Sequence, residues 1–224
     1  IMSTTHKTFR GPRGAMILVT SRGLKKDPNL GKKIDAAIIP GLQGGPHNAT
    51  TAGIAIAAKE AMSPKFKTYG KRIITNAQVL AKALQEGGLK LVGDGTENHL
   101  ILVDLSPLGL GLGTQVAFAL DIAGIYANRN SIPNEPCSPF YPSGLRLGTP
   151  LVTTRGMRAK EMQKIAKWIV LVVNHVKQYP LPEAKEKRSD FIKDFKAKII
   201  KDRYLAKLRK EVKAMAVEFP LFKM

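Results

Sequence analysis

Cysteine is almost missing. Cys137 is the single one in 224 residues, so the chain can close no internal disulfide, and the cytoplasm is the expected compartment. Acidic residues are scarce too: 17 Asp and Glu face 36 Lys and Arg, for a formal net charge of +19. Aromatic residues make up only 6%, and no apolar run approaches the ~20 residues that a membrane-spanning helix needs. A disulfide scaffold and a helical membrane anchor are therefore not expected. The basic excess raises the question of nucleic acid, because lysine and arginine bind phosphates by releasing counterions. The cations are spread over the whole length, however, and towards the end they alternate with Asp190, Asp194, Asp202, Glu211 and Glu218. With few aromatics to stack on bases, a solvated basic face is the expectation and nucleic-acid binding is not. The histidines, His6, His47, His99 and His175, are scattered; they form no metal-ligand spacing, and no Ser-His-Asp order is visible.

What is present is an ordinary globular composition, 44% apolar and 24% charged, long enough to bury a core in one or two domains. The chemistry concentrates in a few strings. The first is Thr4-Thr5-His6-Lys7-Thr8-Phe9-Arg10-Gly11-Pro12-Arg13-Gly14. A lysine among hydroxyls, an imidazole and arginines can have its ammonium destabilised, which frees the amine for Schiff-base chemistry. The following glycines and proline set a sharp turn. A plain basic loop is the competing reading. The second string, Pro40-Gly41-Leu42-Gln43-Gly44-Gly45-Pro46-His47, opens a helix whose amides and dipole suit a phosphate. Two more are Thr96-Glu97-Asn98-His99-Leu100 and the pair Asn130-Ser131-Ile132-Pro133-Asn134-Glu135-Pro136 and Ser143-Gly144-Leu145-Arg146-Leu147-Gly148-Thr149-Pro150.

In this order and spacing, the four blocks closely resemble the serine hydroxymethyltransferase family. The resemblance implies an α/β fold, the aminotransferase-like fold type I of pyridoxal-phosphate enzymes. It implies reversible conversion of serine and tetrahydrofolate to glycine and 5,10-methylenetetrahydrofolate, with pyridoxal 5'-phosphate as cofactor and tetrahydrofolate as co-substrate. Lys7 matches the lysine that carries the cofactor. His6 matches a histidine that sets specificity, Thr4 and Thr5 residues that support lysine and cofactor, and Arg13 an arginine that organises the pocket. Gly44 and Gly45 match the phosphate loop, which in this family reaches the neighbouring subunit's cofactor and so implies a homodimer with shared sites. Arg146 matches the arginine that grips the amino-acid carboxylate, for which a planar fork is well shaped. Asn130, Ser138, Pro139 and Phe140 match positions lining the folate site. Family chains are about twice as long, so the resemblance further implies that this is their C-terminal half. The aspartate that pairs with the pyridine nitrogen, the residue stacked on the ring, and the tyrosine and glutamate of proton transfer then lie upstream. Phe9, Ala15 and Thr50-Thr51 depart from the family pattern without removing a reacting group. A folate-independent pyridoxal-phosphate aldolase and an inactive basic binding module stay open as alternatives.

The pattern predicts a buried strand over 15–20, a helix over 29–37, and helices over 48–62 and 64–86, with Ser63 as the cap of the latter and Gly87-Gly88 as its stop. Strands follow over 89–92, 100–105 and 126–129, around a helix over 114–123. Residues 130–144 hold four prolines and read as an ordered functional loop. A core-facing helix over 157–176 carries Trp168, and 183–217 reads as charged helix with apolar residues at helical spacing. Residues 1–62 are expected to be the C-terminal part of a large cofactor-binding domain and 63–224 a small α/β domain.

Overall fold

The computed structural model describes Ile1–Leu221. The chain divides into two compact units, Ile1–Thr68 and Tyr69–Met224.

The first unit starts with a two-stranded antiparallel ribbon, β1 (Met2–Thr4) and β2 (Ala15–Ile17), in which Thr4 faces Ala15. Two short helices follow, α1 (Ser21–Lys26) and α2 (Leu30–Ala36), then a wide helical turn at Ala37–Leu42 and the longer α3 (Asn48–Ala61). Helix α1 was not expected from the pattern, although Thr20 caps it by accepting a hydrogen bond from the Gly23 amide. Its six residues are too few to show a helical period. The strand expected over 15–20 is shorter and is not buried: Ile17 is 45% and Leu18 56% exposed. Among the described residues it pairs with β1 alone, and its Met16 is half-buried. Ala57 is the one buried hydrophobic residue of this unit among those described.

The second unit holds the core. Helix α4 (Pro64–Glu86), which begins before the division, has the span that the sequence predicts. Ser63 caps it, accepting the Phe66 amide at 3.2 Å. Gly88 ends it at φ +85°, where the Leu89 amide bonds back to the Leu84 carbonyl; only glycine adopts that conformation freely. Beyond it, β3 (Lys90–Leu91), β4 (Leu100–Asp104), β5 (Asn128–Asn130) and β6 (Gly144–Gly148) form an antiparallel sheet in the order β3-β4-β6-β5. Between β4 and β5 runs α5 (Gly113–Ile122), and after β6 come α6 (Pro150–Thr154), α7 (Ala159–Val176), α8 (Arg188–Ile199) and α9 (Arg203–Glu218).

Strand periodicity sorts the sheet's two faces. Ile101, Val103, Leu145 and Leu147 point inward and are buried, where they join Met162, Ala166, Ile169, Val172, Val173 and Val176 of α7 in one core. Trp168 is also core, at 3% exposure. Helix α5 packs against α7, α8 and α9, and Leu205, Leu208, Val212 and Met215 of α9 complete the cluster. Charged helix over 183–217 thus proves to be two helices, broken where Asp202 caps α9 by accepting the Leu205 amide at 2.9 Å. Polar ties fix α4 against the end of β6: Thr149 donates its hydroxyl to the Ile73 carbonyl at 2.9 Å. The buried Asn76 amide donates to Thr153 Oγ1 at 2.8 Å and to the Met157 carbonyl at 3.0 Å. Among the described residues, no helix is long and apolar enough to cross a membrane.

Candidate active site

In the first unit, the segment between β1 and β2 is a loop built around Thr5, which is fully buried. Its amide donates to the Gly14 carbonyl at 3.0 Å, its carbonyl accepts the Gly11 amide at 2.7 Å, and its hydroxyl donates to the Pro12 carbonyl at 2.7 Å. The base of the loop is thereby pinned on both sides, and Lys7 stands at the start of a turn closed by the Arg10 amide on the Lys7 carbonyl at 2.9 Å. Arg10 occupies φ +62°, an uncommon conformation for a side chain of its size. Helix α3 braces the loop from below. A Cβ on Gly53 would lie 2.6 Å from Pro12 Cγ, and one on Gly11 would lie 3.1 Å from the Ala57 Cβ. The close approach of loop and helix therefore needs Gly53, while a Cβ on Gly11 would also lie 2.9 Å from the Thr5 carbonyl oxygen inside the loop. Phe9 meets Phe66 edge to face, with ring centroids 6.3 Å apart.

The result is an exposed Lys7 on a rigid base. Next to it, His6 has a buried Nδ1 with no hydrogen-bond partner. A buried polar atom without a partner costs free energy, so this ring nitrogen is suited to meet a polar group of a ligand. Thr4 closes β1, and Arg13 is exposed two residues before β2. The Thr5 hydroxyl proton is committed to the chain's own backbone, so the fully buried side chain holds the loop closed beneath Lys7. Gly44 and Gly45 are exposed just ahead of α3, and a Cβ on either would meet nothing within 4 Å. His47 makes no side-chain cap to α3.

In the second unit, Arg146 lies in the middle of β6, opposite Leu102 of β4 and Asn128 of β5. Its neighbours Leu145 and Leu147 are buried, so strand alternation sends the guanidinium to the other face. There it is exposed and, among the described residues, has no hydrogen bond or ion pair. A cation held on a sheet without an internal partner is available to an anion. Asn130, at the end of β5 and paired with Gly144, shares that face. Its side-chain amide donates to the Ser131 carbonyl at 2.7 Å, which leaves its oxygen open. Ser138 is half-buried, while Pro139 and Phe140 are exposed, Phe140 by 75%.

Two things escaped the sequence. Strand β6 itself carries glycine at both ends and arginine at its centre, a poor strand signal, yet it sits between β4 and β5. Glu135 is the second. It accepts hydrogen bonds from the amides of Ile132 (3.2 Å), Cys137 (3.0 Å) and Ser143 (2.9 Å) and from the Ser143 hydroxyl (2.7 Å). Burial alone would raise its pKa; the bonds from Ser143, Cys137 and Ile132 outweigh burial and hold the carboxyl below its usual value. The available signal was that Glu135 is the sole acid between Asp121 and Glu161. Among the described residues, no group of three or more His, Cys, Asp or Glu could hold a metal ion.

A lysine loop braced on a helix, followed in sequence by a separate sheet-and-helix unit, belongs to the α/β class of pyridoxal-phosphate enzymes called fold type I. The sequence profile of serine hydroxymethyltransferase matches residues 1–169. A protein of that name from Sorangium cellulosum is 54% identical over 176 residues, 79% of this chain and 40% of its own length. One from Phenylobacterium zucineum is 43% identical over 222 residues, 99% of this chain and 46% of its own length. A Neurospora crassa protein named cytosolic serine hydroxymethyltransferase is 41% identical over 232 residues, covering 99% of this chain. The chain belongs to the serine hydroxymethyltransferase family, and it spans about half the length of these relatives, 40% to 47%.

Proposed function

We propose that this chain is the part of a cytoplasmic serine hydroxymethyltransferase that supplies the cofactor lysine and the substrate carboxylate clamp. The intact enzyme interconverts serine and glycine and passes the one-carbon unit to or from tetrahydrofolate. The observation that carries the reading is the loop pinned by Thr5, which leaves Lys7 exposed beside the unpartnered Nδ1 of His6.

These residues fit pyridoxal phosphate. Lys7 would hold it, and the bound cofactor supplies an electron sink for breaking bonds at the substrate's α-carbon. His6 would offer its ring nitrogen to the cofactor or substrate, and Arg13 and Thr4 would shape the rim. Thr5, fully buried, would support Lys7 and the cofactor by keeping the loop closed. Arg146 would clamp the amino-acid carboxylate with two parallel N–H bonds. Asn130, Ser138, Pro139 and Phe140 would hold tetrahydrofolate, with Phe140 as an exposed apolar surface for its ring system. The amides of Gly44 and Gly45 would meet the cofactor phosphate of a second copy in a homodimer. Leu42, 88% exposed just before them, supports a surface that a second subunit covers. Residues 1–62 would be the end of the large domain and 63–224 the small domain, a reading supported by the division after Thr68.

The test is a chimaera in which this chain replaces the matching 222 residues of the Phenylobacterium zucineum relative. It should form glycine from serine, and tetrahydrofolate should accelerate this strongly. Equal rates with and without tetrahydrofolate would favour a folate-independent aldolase instead.

A further inference from the structure

The loop over 131–143 has no regular secondary structure and few ways to hold its own shape, yet it would have to present Ser138, Pro139 and Phe140 in one geometry. The bonds that close it converge on one side chain. Oε2 of Glu135 accepts the Ile132 amide from the loop's start and the Ser143 amide from its end. Oε1 accepts the Cys137 amide and the Ser143 hydroxyl. Ser143 is fully buried. Its Oγ accepts the Gly111 amide at 3.1 Å, and its carbonyl accepts the Leu105 amide at 3.0 Å. The carboxylate thus ties the loop to a fixed point of the sheet. Cys137, the residue directly before Ser138, is one of the four donors.

We propose that Glu135 is a positioning residue for the tetrahydrofolate site: it holds the loop in the shape that presents Ser138 to Phe140, and it acts on Arg146 little or not at all. This rests on the transferase reading above. The separation from Arg146 follows from the ladder, since β6 is held on both sides by β4 and β5 and does not depend on the loop. A carboxylate suits the task because all four donors point at it and none needs an acceptor in return. A carboxamide of the same shape has one acceptor oxygen and turns an NH2 towards at least one N–H.

Two measurements on Glu135→Gln test it. In the 224-residue chain, the amides of Ile132, Cys137 and Ser143 should exchange with deuterium about tenfold faster or more, since a charge-assisted hydrogen bond is lost. The amides of β4 and β6 that pair in the sheet should be unchanged. In the chimaera, KM for tetrahydrofolate should rise about tenfold or more for the same reason, with kcat and the serine KM within about twofold. Unchanged exchange in the loop would overturn the proposal, and so would an equal rise of both KM values. If the chimaera with Glu135 intact shows no folate dependence, the transferase reading fails instead, and the exchange comparison still decides whether Glu135 holds the loop.

Discussion

Replacing Arg146 by lysine separates a binding arginine from a structural one. In the structure the guanidinium has no partner among the described residues and stands on the exposed face of β6, while Leu145 and Leu147 of the same strand are buried. Loss of its fork should therefore cost the fold within about 0.5 kcal/mol, the usual range for an exposed position. Its cost in the chimaera should be specific. Two parallel charge-assisted bonds to a carboxylate become one point contact, and losing one such bond is worth about 2 kcal/mol, which corresponds to roughly 30-fold in affinity. Steady-state kinetics should show the serine KM raised by about that factor, the cofactor absorbance unaltered and the melting temperature unmoved. A serine KM unchanged within twofold would refute the clamp. A fall of several degrees in melting temperature would show that Arg146 has a structural partner after all.

Two further outcomes follow from the packing and electrostatics. Asp202 caps α9 and also meets His175 Nε2 at 2.9 Å. Burial alone would raise its pKa, but the Leu205 amide and His175 outweigh burial and lower it. The unfolded chain then binds the proton more readily, so the stabilisation is complete above the ordinary carboxylate pKa and is lost as pH falls through the lowered one. Asp202→Ala should cost about 1 kcal/mol at pH 7 and clearly less at pH 3 in urea melts; equal costs at both pH values would show that the carboxylate contributes nothing. Limited proteolysis of the 224-residue chain should trim residues before about Thr68 first and leave the second unit protected, because the buried hydrophobic residues lie almost entirely there. Cleavage inside α7 before any loss of the first unit would contradict this.

Elements that carry their own signals were legible in the sequence. Helix α4 has a serine cap, proline at its first turn and a glycine stop, and it forms with those bounds. Helix α7 has a dense apolar stripe and packs with that stripe inward. What was hidden depends on partners distant in sequence. Strand β6 owes its existence to ladders with β4 and β5, since Gly-Leu-Arg-Leu-Gly has little strand propensity of its own. Strand β2 is shorter than the pattern predicts, and the five apolar residues in a row from Ala15 to Val19 signal burial without saying what covers them. The candidate site followed the same rule. Lys7 and Arg146 stand out in their strings, whereas the Thr5 hydroxyl bonded across the loop and the carboxylate of Glu135 are meaningful only once the loops have closed.

The most direct test of the central claim is Lys7→Arg in the chimaera. A guanidinium stays protonated and cannot form the covalent link to an aldehyde that an amine forms. The account predicts that the parent chimaera turns over serine repeatedly with tetrahydrofolate, while the variant, equally stable and equally able to bind serine through Arg146, does not turn over. Undiminished steady-state turnover in the variant would contradict the assignment of Lys7 and the account built on it.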